Sequence, residues 1–207
     1  MPDLFLSEIH IDPRTRSGRE ALADVAAMHR SVMSGFDGDL GDSARQSAAV
    51  LFRVETDDAR QRVLVQSNAP LDPARLPDGL VWTGHRDLAM PWKAGDRIRY
   101  RITINTAKKV RLDDGRRRME AVVGDDVTGW WLPRLERAGV RSTGEPLVQP
   151  ASATGRKAGG MRLTFCGHRI DGTGIVEDAD RLRGSLAAGI GRGRAYGFGL
   201  LSVAALR

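Results

Sequence analysis

Residues 4–11 (LFLSEIHI) are rich in apolar and β-branched side chains and stop at Asp12-Pro13, a pattern that predicts a first strand. After a polar, basic stretch at 14–18, the apolar positions 21, 22, 25, 28, 32, 33 and 36 recur at the spacing of an amphipathic helix over 19–36. Residues 35–47 have loop composition. Two strands follow at 49–55 and 62–67. Residues 68–79 hold three prolines and at most one helical turn, and 80–85 reads as a fourth strand. The order βαββ(α)β is that of a ferredoxin-like unit.

The same order recurs in the second half. Residues 96–105 alternate as a strand, and 124–138 form a helix with Trp130, Trp131, Leu132 and Leu135 apolar. Residues 145–150 and 161–170 are the arms of a long hairpin, 178–188 a second helix, and 198–205 a closing apolar strand. No residue-level repeat accompanies this repeated order. The expected fold is α+β: two tandem ferredoxin-like domains with antiparallel sheets, 1–93 and 94–207, the boundary falling near 91–95.

Composition narrows the function classes. Thirty-two Lys and Arg against 26 Asp and Glu leave a net charge of +6, which suits a polyanionic partner. A single cysteine, Cys166, excludes an internal disulfide and a CxxC metal site. There are four histidines and no HExxH pattern, so no metal or cofactor is expected. Acidic pairs such as Asp57-Asp58, Asp113-Asp114 and Asp125-Asp126 read as solvated turns and a helix start. With no basic, apolar leader and no apolar run of about 18 residues, a cytoplasmic protein without a membrane span is expected.

Three features carry candidate chemistry. The densest is the stretch 189–199 (GIGRGRAYGFG), where Gly189, Gly191, Gly193, Gly197 and Gly199 surround Arg192 and Arg194. Such a loop offers bare N–H groups and guanidinium groups to phosphate, or it makes a tight connection between a helix and an edge strand. The second is His29, at the edge of the apolar face of the first helix, a placement open both to a core-edge histidine and to a proton carrier. His10, His85 and His168 read as structural or exposed. The third is the basic groups. Asn105, Lys108, Lys109 and Arg111 leave the second half's opening strand, and Arg156 and Lys157 sit at the tip of a glycine-interrupted hairpin at 152–160. Arg116–Arg118 reads as a basic loop. With aromatics at 5% and no stacking motif, a folded polyanion bound by charge and shape fits better than a stacked single strand.

Residues 189–202 (GIGRGRAYGFGLLS) resemble the glycine-rich signature of the CRISPR-associated RAMP proteins, and GLLSVA at 199–204 is similar to the CasE family, the repeat-cleaving endoribonucleases of type I-E systems. FLSEIHIDP at 5–13, LFRVE at 51–55, VLVQS at 63–67 and RIRYRITINTAK at 97–108 match that family's strands in order. The resemblance implies a metal-independent endoribonuclease that binds the stem-loop of a CRISPR repeat and stays on its product within the Cascade complex. It implies that His29 is the general acid or base and that Asn105 and Lys108 match an Asn-Pro-x-Lys segment near the cleaved phosphate, with Thr106 in place of proline. Many relatives carry tyrosine one turn before the histidine, where this chain has Ala26. Arg30, Lys108 or Lys109 would then neutralise the charge that develops on the phosphate. Ala26 also leaves room for a non-catalytic CRISPR RNA-binding subunit, and the glycine loop alone for an unrelated phosphate-binding protein.

Overall fold

The computed structural model describes residues 4–36, 48–57, 60–157 and 159–206. Most of the loop expected at 35–47 and the tip residue Ala158 lie outside them. In the described residues the first sheet is built from β1 (Phe5–Ile11), β2 (Leu51–Asp57), β3 (Arg60–Ser67) and β4 (Leu80–Asp87), in the order β2-β3-β1-β4 with every pair antiparallel. Helices α1 (Arg16–Ala23) and α2 (Val25–Met33) connect β1 to β2, and a 3-10 turn, Pro73–Arg75, stands where a second helix would connect β3 to β4. One face of the sheet sends Ile9, Ile11, Val63 and Val65 against Ala21, Met28 and Val32.

The helix expected over 19–36 is two helices. Asp24 takes extended backbone angles (φ −140°, ψ 116°), and its carboxylate accepts the N–H groups of Ala26 and Ala27. An Asp that offers the backbone this alternative both ends one helix and starts the next. Thr15 caps α1 in the same way, accepting from Gly18 N–H, so α1 starts before the position that the apolar spacing predicts.

The second half runs β5 (Arg97–Asn105), β6 (Ala107–Arg111), β7 (Arg117–Ala121), α3 (Asp126–Arg137), β8 (Val140–Ser142), β9 (Leu147–Pro150), β10 (Ala153–Arg156), β11 (Arg162–Phe165), β12 (Gly167–Val176), α4 (Ala179–Ala188) and β13 (Ser202–Ala205). Its main sheet has the order β13-β5-β12-β8, with β9 also pairing β12. Ile98, Tyr100, Ile102 and Ile104 of β5 pack on Trp131 and Leu135 of α3 and Leu182 and Leu186 of α4. The fold is therefore α+β, two tandem ferredoxin-like units with antiparallel sheets. Two hairpins stand apart from the main sheets, β6–β7 and β10–β11. Arg117 and Arg118, expected in a loop, are in β7, opposite Arg111 and Val110. The closing strand is shorter than its apolar run: Phe198, Leu200 and Leu201 are buried, but only Ser202–Ala205 pair with β5.

The two units meet through buried polar groups. Arg53 of β2 is 2% exposed; its guanidinium donates to the carbonyls of Leu200 (2.9 Å) and Arg101 (3.3 Å) and pairs with Glu55 at 2.7 Å. Gln66 of β3 donates to the carbonyl of Leu186 at 2.7 Å. Burial opposes the charge of Glu55, yet Arg53 and Arg62 outweigh it and hold the carboxyl below the usual carboxylate range.

Candidate functional site

The site is assembled around α2. Met28 and Val32 point into the first core, and His29 lies at the edge of that face, half-buried with Nδ1 inward. Its ring centroid is 5.7 Å from that of Tyr196, with the planes at 59°. Tyr196 in turn packs on Phe165 at 5.3 Å, and Phe165 on Phe198 at 5.1 Å. A row of rings thus runs from the first helix pair across the glycine loop to β11. Ala26 is buried. Of the chain's two tyrosines, Tyr100 is in the second core and Tyr196 stands against His29. Arg30 is exposed but turned away, toward a pocket of about 210 Å³ lined by Ser17, Glu20, Ser31 and Pro77.

The glycine loop holds Tyr196 in place. Gly189, Gly191, Gly193, Gly197 and Gly199 all have positive φ. The loop is closed by Ile190 N–H donating to the carbonyl of Gly199 and tied to β5 by Gly199 N–H donating to the carbonyl of Thr103. At Gly199 (φ 94°) a Cβ would stand 2.5 Å from the carbonyl oxygen of Ile190, so only glycine fits. The loop is also wedged between the units, Gly189 beside Leu51 and Gly197 beside Phe52. This glycine content answers to backbone shape and close packing. Arg194 donates to the carbonyl of Ala188 at the end of α4, while exposed Arg192 reaches the sulfur of Met119 on β7 at 3.2 Å.

Through that contact the loop touches the β6–β7 hairpin, where Lys108, Lys109 and Arg111 are exposed and Lys109 is paired with Met119. Asn105, half-buried, ends β5 opposite Gly167. Thr106 is fully buried, its hydroxyl oxygen 2.9 Å from the carbonyl of Val122 and 2.8 Å from His168 Nδ1. Burial pushes the His168 imidazole pKa down, the mark of a structural histidine. His10 lies against Glu8 at 2.9 Å and His85 against Phe5. The β10–β11 hairpin reaches the start of α2: Arg156 and Lys157 are exposed at its end, and Arg156 N–H donates to Asp24 Oδ2 at 2.8 Å.

The structure thus gathers His29 and the glycine loop, with the cationic β6–β7 and β10–β11 hairpins beside them, and leaves Arg30 on the other side of α2. Sequence reasoning missed Tyr196, although it lies inside the glycine stretch, and missed Asp24, which sits within an unbroken apolar helical period and so gives no local signal. Among the described residues no three His, Cys, Asp or Glu side chains gather as metal ligands. An imidazole at the mouth of a cationic surface is equipped to move a proton beside a bound polyanion.

A family described as CRISPR associated protein matches residues 4–205. The CRISPR-associated endoribonuclease Cse3 of Thermus thermophilus is 30% identical over 216 residues, which cover 97% of this chain and 100% of that protein. The structure of Thermus thermophilus Cse3 bound to an RNA representing a pre-cleavage complex matches with a TM-score of 0.80 at 27% identity, over 98% of this chain and 99% of that one. A chain of a CRISPR RNA-guided surveillance complex matches with a TM-score of 0.77 at 28% identity, over 98% and 100%.

Proposed function

The chain belongs to the CasE family of CRISPR-associated proteins, and from that premise we propose that it is an endoribonuclease that binds the stem-loop of a CRISPR repeat and cuts precursor CRISPR RNA at the 3′ base of the stem. It then remains on the mature guide as a subunit of a Cascade complex, in the cytoplasm. The observation that carries this reading is the half-buried His29 ring against Tyr196 of the glycine loop, a loop that touches the β6–β7 hairpin of exposed Lys108 and Lys109 through Arg192 and Met119, while the β10–β11 hairpin of exposed Arg156 and Lys157 bonds to Asp24 at the start of α2. The domain of residues 1–93 brings the histidine, and that of 94–207 brings the hairpins and the glycine loop.

The chemistry needs little beyond alignment. The 2′-oxygen forms a bond to phosphorus as the bond to the 5′-oxygen breaks, leaving a 2′,3′-cyclic phosphate and a 5′-OH end. One proton leaves the 2′-OH and one arrives at the departing 5′-oxygen, and His29 serves as the general acid or base in these transfers. Lys108, with Lys109 beside it, offsets the charge that builds on the phosphate, a role that no metal ion has to fill. Arg156 and Lys157 hold phosphates of the stem, whose deep, narrow major groove keeps side chains from reading bases. Asn105, Arg111, Arg192 and Arg194 serve as further RNA contacts.

The test is repeat RNA incubated with protein in EDTA. The wild-type protein is expected to cut, and His29→Ala to lose about 100-fold or more in rate with its RNA affinity kept within about threefold. Intact RNA held tightly by the wild-type protein would instead establish the second reading, a non-catalytic RNA-binding subunit, which buried Ala26 favours by leaving no phenol on that turn of α2.

A further inference from the structure

Asp24 joins two elements that the chain keeps far apart. One carboxylate oxygen, Oδ1, accepts the N–H groups of Ala26 (2.7 Å) and Ala27 (2.9 Å) and so starts α2. The other, Oδ2, accepts the N–H of Arg156 at 2.8 Å, across 132 residues of sequence. Burial opposes the charge of this carboxylate, yet the N–H groups of Ala27, Arg156 and Ala26 and the charge of Arg30 outweigh it and hold it below the usual carboxylate range. The three bonds are therefore charge-assisted at neutral pH.

The hairpin depends on this contact. β10–β11 is a two-stranded ribbon outside the main sheet, and such a ribbon is marginal by itself, so its seating is set by what it leans on. It leans on α2 through Gly155, where a Cβ would stand 2.7 Å from Asp24 Oδ1 and 3.0 Å from Val25 N, so strand and helix meet backbone to backbone. Its second strand leans on the same site from above, Phe165 against Tyr196 and Tyr196 against His29. The ribbon thus grips the helix start with one strand and the imidazole's neighbour with the other.

We propose that Asp24 is a positioning residue that couples the β10–β11 hairpin to the helix carrying His29, so that RNA held at Arg156 and Lys157 sets the imidazole for the cut. This rests on the reading of His29 as the proton carrier. His29 lies five residues along α2 from Asp24, about 7–8 Å of rigid helix, so a shift of the capped end moves the ring directly.

Asp24→Asn separates coupling from folding. Asn caps helices as well as Asp, and its amide oxygen can keep both N–H groups of α2, but the NH₂ group left facing Arg156 N–H cannot accept from it. With all RNA bound, the single-turnover cleavage rate is expected to fall about tenfold, with RNA affinity kept within about threefold and the melting temperature nearly unchanged. Gly155→Ala, which leaves Asp24 intact but pushes the strand off it, should lose a similar factor. A second readout needs no cleavage: in amide hydrogen exchange, repeat hairpin RNA should slow exchange across 25–33 in the wild-type protein and not in Asp24→Asn. Wild-type cleavage by Asp24→Asn, or α2 protection that is absent from the wild-type protein or persists in the variant, overturns the coupling. A wild-type protein that binds the RNA without cutting it overturns the nuclease reading instead, and the exchange experiment still decides the coupling.

Discussion

Burial sets His168 apart from the other three histidines. His168 is 6% exposed and tied to Thr106, and burial holds its pKa below the ordinary 6.5. The unfolded chain therefore takes up this proton at a higher pH than the folded chain does. Above about pH 6.5 the residue adds no pH dependence, and below it stability falls until the folded pKa is passed. The urea midpoint should drop between pH 7.5 and pH 5, and that drop should shrink in His168→Gln. At Tyr196 the contact with His29 is ring to ring, so Tyr196→Phe should stay within about threefold of the wild-type cleavage rate while Tyr196→Leu loses about tenfold. His168 was legible because it alternates with Ile170 along β12. Periodicity alone left His29 open, because an edge position on a helix serves packing and proton transfer equally; the ring opposite it comes from residue 196, which no local pattern connects to residue 29.

At the level of elements, the order of the main strands and helices along the chain was readable from apolar spacing, because each sheet buries one face against helices. Caps and hairpin strands were not. The apolar period of residues 19–36 runs through Asp24 unbroken, so the split between α1 and α2 shows only in where a carboxylate sends its hydrogen bonds. β7 is exposed along most of its length and so has no buried face to impose an alternation, which is why it read as a loop. The run 198–205 reads from sequence as strand throughout, but only its last four residues pair with β5, since a chain wedged between two units buries apolar groups whatever its backbone does. This last point makes Gly199 testable. Gly199→Ala combines φ 94° with a Cβ 2.5 Å from a backbone oxygen, and the expected loss is about 2 kcal/mol or more in urea unfolding. The β10–β11 tip makes a different prediction. Arg156→Ala and Lys157→Ala together should weaken RNA binding and lower the slope of log K against log salt by about one to two, as expected for lost phosphate contacts.

In the whole molecule, the site exists only because the two units dock, since His29 comes from one and Tyr196 from the other. The dock is polar at its centre. Alternation along β2 puts Arg53 on the face opposite the helices; the second unit covers that face, and nothing local to β2 announces the cover. Buried there, the guanidinium loses water and is repaired by Glu55 at 2.7 Å and by the carbonyls of Leu200 and Arg101. Such a group adds little beyond an apolar substitute of the same shape, but its removal strands its partners. In Arg53→Ala, Glu55 keeps Arg62 at 2.9 Å and Arg101 at 3.5 Å, whereas the Leu200 carbonyl loses its donor inside the interface. The expected loss is about 1–3 kcal/mol in urea unfolding, the cost of a buried carbonyl left without a donor, together with loss of cleavage as the glycine loop slackens against β2. A loss under about 1 kcal/mol would mean that the apolar contacts of Leu51 and Phe52 with the loop hold the units together by themselves and that Arg53 only fills space.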